Sequence, residues 1–249
     1  MIVITGPGRS GTSLIAQIYR ELGFDPAGRW LEDRRAGLER SDVVRLNQQI
    51  AESLRVALPT PKPLSNHLPK PLSNHCPKPL SKHLPKLLAR TVRPVQQRSS
   101  ALELVDWARF DQAVNIHGEQ ARQIASEVMV AKDPRMAWTI GVWLAAGAPI
   151  EHVVVTVRSP PAAARSRLRA GLADGFGEAA MTNLLTYGTG LLVGWLTEYR
   201  TAWSMVSFPH FLETPGALYD AIKFPAPVSR ETFMSAFQKL ADRPEADHE

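Results

Sequence analysis

Residues 1–5 (MIVIT) form a short apolar run that ends in a glycine-rich turn. Apolar positions 14, 15, 18, 19 and 22 follow with a helical period, and Gly23 stands where a helix C-cap belongs. The chain is therefore predicted to open as strand, glycine loop, helix. Positions 43, 44, 46, 50, 54 and 58 fit a 3.6-residue period, which predicts a helix over 43–58. Residues 128–131 (VMVA) predict a strand. Residues 134–146 predict a helix with proline near its start. Residues 152–157 (HVVVTV) are a β-branched run of strand length, as expected of a parallel strand buried on both faces. Pro160 and Pro161 then begin a helix that runs to about Leu172. Strands alternating with helices predict an α/β fold with a central parallel sheet flanked by helices.

Residues 179–197 carry no charge over 19 residues. They include Asn183, four threonines and three glycines, so a core helix is expected and no membrane span. No positively charged stretch precedes the first apolar run, so no secretory leader is expected. A cytoplasmic protein is therefore expected.

The middle of the chain breaks the pattern. Residues 61–84 are three copies of one octapeptide, PKPLSNHL, PKPLSNHC and PKPLSKHL, and a fourth decays at 85–88. Proline at the first and third positions blocks both helix and central strand. The apolar content is too low to offset the chain entropy. The segment 59–98 thus reads as an extended, solvated insertion into a single domain spanning 1–249, with a frayed tail over 244–249. His67, His75 and His83 recur every eight residues, a spacing that matches no compact metal motif. A proline-rich ligand for a partner domain is the other functional reading of the repeat.

Charge follows the same division. The chain has 29 Lys and Arg, 24 Asp and Glu, and a formal charge of +5. No acidic residue lies between Glu52 and Glu103, where nine of the cations sit; elsewhere 20 cations face 24 carboxylates. The positive charge belongs to one segment, so it gives no reason to expect nucleic-acid binding by the folded body. Cys76 is the single cysteine, which excludes an internal disulfide and a zinc site built from cysteines. Nothing in the pattern sets an oligomeric state.

Three motifs carry candidate chemistry. Gly6-Pro7-Gly8-Arg9-Ser10-Gly11-Thr12-Ser13 joins the first strand to the first helix. Backbone N–H groups in such a loop converge on an anion, and the helix N-terminus adds partial positive charge. The spacing from Gly6 to Ser13 fits the Walker A frame, except that Thr12 stands where that frame has lysine. The cation comes three residues earlier, at Arg9. With no clear carboxylate at a strand end to hold Mg²⁺, ATP-dependent chemistry is disfavoured. A glycine turn without a ligand is the bland reading. Second, Arg158 follows the strand 152–157, and Ser166 lies eight residues on, in the next helix. An arginine fork plus a hydroxyl can clamp a phosphate at the carboxyl edge of a sheet, although an arginine there is often a surface ion pair. Third, Lys132-Asp133-Pro134-Arg135 follows the strand 128–131, either as a helix cap with Asp133 at its head or as a catalytic element.

Together these motifs resemble a sulfotransferase that uses 3′-phosphoadenosine 5′-phosphosulfate (PAPS). GPGRSGTSL resembles the family's 5′-phosphosulfate loop, VVVTVRSPPAAARS its 3′-phosphate motif, and VAKDPR the Lys-Asp-Pro-Arg element of bacterial members. Gly37-Leu38-Glu39 leading to Asn47, and a helix from Trp195 to Trp203, are weaker matches. The resemblance covers most of 1–58 and 128–223 and skips the repeats. It implies a three-layer P-loop NTPase-like fold. It also implies that Gly8, Arg9, Ser10, Gly11, Thr12, Ser13, Arg158 and Ser166 bind PAPS, with adenosine 3′,5′-bisphosphate as product and no metal. Leu14 stands where many animal members have tryptophan, and the C-terminal Arg-Lys-Gly element of the family is absent.

In-line sulfuryl transfer builds charge on the bridging oxygen as the S–O bond breaks. Arg9 is the cation expected there, with Lys132 assisting. Where the family commonly has a histidine, this chain has Asp133-Pro134, so the resemblance implies a carboxylate base: Asp133 or Glu39, then Glu32. The acceptor is expected to be a small molecule or glycan carrying a hydroxyl or amine. The rival readings are a P-loop kinase and a degenerate sulfotransferase-like protein that binds nucleotide without turnover.

Overall fold

The computed structural model describes residues 1–24, 38–55, 102–171 and 175–241. The chain divides into Met1–Pro59 with Arg98–Glu249, and Thr60–Gln97. The octapeptide repeats, the insertion bounded by 59 and 98, the tail over 244–249 and Glu32 all lie outside the described residues.

Four strands form one parallel sheet in the order β2-β1-β3-β4. They are β1 (Ile2–Thr5), β2 (Val130–Lys132), β3 (His152–Val157) and β4 (Trp203–Ser207). Ile4 pairs with Lys132, Thr5 with Val155, and Val157 with Ser207. The turns that leave β1, β2 and β3 therefore emerge side by side at one edge. All three sequence motifs follow these strands, so the topology brings them together.

Alternation along the strands builds a core on each face. Val3, Ala131, Val153 and Val155 join one cluster with α2 (Ser41–Leu54), α3 (Trp107–Glu127), α4 (Met136–Ala145) and α6 (Glu178–Glu198). Ile2, Ile4, Val130 and Val154 join the other with α1 (Thr12–Glu21), α8 (Pro215–Ala221) and α9 (Arg230–Ala241). Two short helices complete the order, α5 (Pro160–Arg169) and α7 (His210–Glu213). Helices cover both faces of the sheet, which makes three layers.

The helix α1 ends as expected. The N–H of Gly23 donates to Arg20 O and that of Phe24 to Tyr19 O, both at 3.0 Å, and Gly23 has φ +82°. This is a Schellman closure, for which glycine suits the left-handed position. β3 spans the residues expected of it. β2 begins later than expected, because Val128 still donates to Ile124 O and caps α3. α4 begins at Met136 rather than Pro134, because residues 134–135 form a turn folded over Asp133. The helix expected from Trp195 to Trp203 is corrected: α6 stops at Glu198, and Trp203 opens β4. Arg200 at φ +50° turns the chain between them. Among the described residues, no helix is long and apolar enough to cross a membrane.

Candidate functional site

The glycine loop is pressed against its neighbours. A Cβ on Gly6 would lie 2.2 Å from Thr156 O, so no side chain fits there. Gly8 has φ +87°, and a Cβ on it would lie 2.3 Å from Arg167 Nη1. Arg9 also adopts a left-handed backbone, at φ +57°, a conformation that costs a residue other than glycine about 1–2 kcal/mol. Its side chain is exposed at the carboxyl edge. Strain kept at an exposed cation is the kind of backbone outlier that clusters at ligand sites. α1 starts directly behind, with Gly11 as N-cap, and the amides of its first turn have no acceptor within the helix.

Ser10 behaves differently from expectation. Its hydroxyl is fully buried, 2.7 Å from Thr156 Oγ1, which in turn donates to Thr5 O at 3.2 Å. Thr156 spends its one proton on Thr5, so the Ser10 hydroxyl donates to Thr156. The hydroxyl fastens the loop to β3, and only its backbone N–H is left for a ligand. Thr12 is buried, and Ser13 is half-buried in the first turn of α1.

The second motif reaches the first directly. Arg9 Nε donates to Ser166 Oγ at 3.2 Å, and Arg158 Nη1 approaches Arg9 O at 3.5 Å. The Arg158 guanidinium also lies 5.2 Å from the centre of the Phe208 ring. A Cβ on Gly11 would lie 2.8 Å from that same ring. Thus Phe208, at the end of β4, closes the far side of the loop. Small residues bring Ser166 inward: Ala163 and Ala164 of α5 pack against Met181 and Leu185 of α6.

The third motif sits in a buried polar network. Lys132 Nζ and Arg135 Nη1 bond the two oxygens of Glu39, each at 2.8 Å. Asp133 Oδ1 accepts from Arg135 N at 2.8 Å and from Arg135 Nη1 at 3.0 Å. Asp133 Oδ2 accepts from Asn47 Nδ2 at 2.8 Å. Asn47 Oδ1 accepts from Thr139 Oγ1 and Trp143 Nε1. Burial opposes the charge on Arg135, but Asp133 and Glu39 outweigh it and hold the guanidinium above its ordinary value.

Asp133 is 0 % exposed and Glu39 5 % exposed, and each has both oxygens engaged, Asp133 by Asn47 and Arg135, Glu39 by Lys132 and Arg135. Asp133 caps the turn at 134–135, accepting from Arg135 N, the cap reading that its position after β2 allowed. It does follow β2 directly, beside the strand that feeds the glycine loop, so a carboxylate does stand at a strand end there. Asn47 and Arg135 hold its oxygens.

One residue missing from the sequence reading joins the two halves of the site. Arg167, next to Ser166, is 8 % exposed and donates from Nη1 to Pro7 O at 3.0 Å. Burial, then Arg9 and Arg135, draw its pKa down to about 10. Arg167 thus lies within electrostatic reach of both the loop cation and Arg135. The signal was the basic pair flanking Leu168, which reads as an exposed helix end in sequence. Phe208 is a further residue whose importance only the fold makes plain, and Asn47, a weak match in sequence, takes its role as the link between Asp133, Thr139 and Trp143.

No family model matches the chain, and no curated protein or solved structure matches it either. Fold and site by themselves define an α/β protein with a four-stranded parallel sheet and a cation-rich carboxyl edge.

Proposed function

We propose that the protein is a sulfotransferase of P-loop type, moving a sulfuryl group from PAPS to a hydroxyl or amine of a small-molecule or glycan acceptor. The observation that carries the reading is the contact between Arg9 of the glycine loop and Ser166 of α5, at 3.2 Å, with Arg158 against the Arg9 carbonyl. The 5′ and 3′ anion motifs thereby share one edge, where a ligand with phosphates at both ends can meet both. Arg9 and Arg158 have no carboxylate partner among the described residues, which fits a site built for an anionic ligand.

The donor, when bound, supplies an activated sulfuryl group whose departure leaves negative charge on a phosphate oxygen. Arg9 and the amides from Arg9 to Ser13 hold that charge in place, while the Gly8 amide is spent on Gly6 O, and Arg158 with Ser166 anchors the distal phosphate. Lys132 supplies a second cation from the end of β2. Glu39 receives the acceptor's proton as the new bond to sulfur forms. The positive charge comes from the chain's own residues, so the reaction as proposed calls on no metal. Kinase chemistry has less support: Thr12 replaces the phosphate-binding lysine, and Asp133 is already bonded by Asn47 and Arg135.

The test is turnover with ³⁵S-labelled donor across panels of phenols, sugars and amines. Glu39→Gln is expected to lower kcat by roughly 10²–10⁴, the range for a positioned base. Nucleotide binding without label transfer to any acceptor class would leave a binding protein in place of an enzyme. A loss of turnover in Glu32→Gln with Glu39→Gln unaffected would move the base to residue 32.

A further inference from the structure

A chain of buried hydroxyls ties the glycine loop to the sheet. Ser10 Oγ donates to Thr156 Oγ1 at 2.7 Å, and Thr156 Oγ1 donates to Thr5 O at 3.2 Å. Thr5 Oγ1 in turn donates to Asp133 O at 2.9 Å. Ser10, Thr156, Thr5 and Asp133 are each 0 % exposed. The chain thus runs from the loop, through β3 and β1, to the turn after β2. Thr156 interrupts the valines of β3. Val154, two residues earlier on the same face, packs in the apolar cluster of α1. Valine matches threonine in outline, and an apolar pair in place of Thr156 and Ser10 would leave neither hydroxyl unsatisfied. Stability alone does not call for this pair. What the hydroxyls add is direction, because a hydrogen bond fixes orientation where an apolar contact does not.

Direction matters at this turn. Among the described residues, the N–H groups from Arg9 to Ser13 donate to no carbonyl, while that of Gly8 is spent on Gly6 O. We propose that Thr156 is a positioning residue of the anion loop, its hydroxyl fixing Ser10 so that those free amides converge on one bound anion; this rests on the reading of that edge as a nucleotide cradle. Gly6 belongs to the same device. A Cβ there would lie 2.5 Å from Thr156 Oγ1 and 2.9 Å from Ser10 Oγ, so glycine is what lets the two hydroxyls meet. Donors anchored on a strand before the ligand arrives need no reorganisation when it binds.

The experiment compares wild type with Thr156→Val, Thr156→Ser and the double variant Ser10→Ala, Thr156→Val. Each is titrated calorimetrically with inorganic pyrophosphate and with adenosine 3′,5′-bisphosphate, and each is unfolded in urea. Thr156→Val leaves the Ser10 hydroxyl without its acceptor and is expected to bind both anions about tenfold more weakly, with a lower urea midpoint. Thr156→Ser keeps the hydroxyl and is expected to bind within a few-fold of wild type. The double variant replaces both hydroxyls with apolar groups. It is expected to regain the urea midpoint and to keep the tenfold loss of affinity. A Thr156→Val protein that binds like wild type overturns the inference. So does a double variant whose affinity recovers together with its midpoint, since the hydroxyls then serve stability alone. Should Thr156→Val not fold, the double variant decides: a tenfold loss upholds the positioning role, and wild-type affinity refutes it. A wild type that binds neither anion is a different failure, which removes the cradle and the inference with it; the other contrary results overturn the inference and leave the cradle standing.

Discussion

Asn47 shows how much of the site depends on single polar atoms. Its orientation is fixed by chemistry: Trp143 Nε1 can only donate and the Asp133 carboxylate can only accept, so the amide oxygen faces Trp143 and the amide nitrogen faces Asp133. Replacing it with alanine strands both partners in the interior. Asn47→Ala is expected to cost about 3 kcal/mol in urea unfolding, and a loss below about 1 kcal/mol would contradict the network as a structural unit. Arg9 makes the opposite case. Its φ of +57° suits glycine better than arginine, so Arg9→Gly should raise the melting temperature slightly. The same change removes the loop's exposed cation and should lower turnover by roughly 10²–10³. Gain of stability with loss of turnover marks strain retained for function. A variant that melts lower would contradict that account.

At the scale of elements, α4 and α6 interlock through two glycines. A Cβ on Gly141 of α4 would meet Trp195 of α6 at 2.4 Å, and one on Gly188 of α6 would meet Trp138 of α4 at 2.6 Å. Each helix offers a bare patch to the other's indole. Gly188→Ala should destabilise by about 1–3 kcal/mol through overpacking, read as a shift of the urea midpoint. An unchanged midpoint would mean that the helices part without cost. α6 was legible as a core helix, because an uncharged stretch rich in threonine and glycine suits a buried contact better than lipid. β1 and β3 were legible too, since strands buried on both faces leave unbroken apolar runs. α3 escaped notice because its buried face is made largely of Ala113, Gly118, Ala121 and Ala125, which barely register as hydrophobic. β4 escaped because it is an edge strand with only Val206 fully buried. The motifs in the turns after β1, β2 and β3 were visible as spacing. The roles of Ser10, Asp133 and Arg167 were not, because those depend on which way a side chain faces once the strands are in register.

Across the whole molecule, two histidines tie stability to pH. His117 of α3 bonds Ser53 of α2, and burial holds its pKa below the ordinary value. His152 of β3 bonds Ser204 of β4, and burial, then Lys223, lower it as well. Both groups take up protons more readily in the unfolded chain. The stability they contribute is present above about pH 6.5, the unfolded value, and is lost as the pH falls from there through the lower folded values. The melting temperature should therefore drop between pH 7.5 and pH 5.5, and the drop should shrink in a variant carrying His117→Gln and His152→Gln. A protein that melts higher at pH 5.5 would contradict the assignment. The same scale carries the functional claim, because the parallel order β2-β1-β3-β4 is what sets Arg9, Arg158 and Ser166 at one edge. Calorimetric titration with adenosine 3′,5′-bisphosphate and with adenosine 5′-monophosphate, on wild type and Arg158→Ala, tests that claim most directly. The account predicts that wild type prefers the bisphosphate and that Arg158→Ala abolishes the preference while still binding the monophosphate. Equal affinity of wild type for the two nucleotides, or a preference untouched by Arg158→Ala, would contradict it.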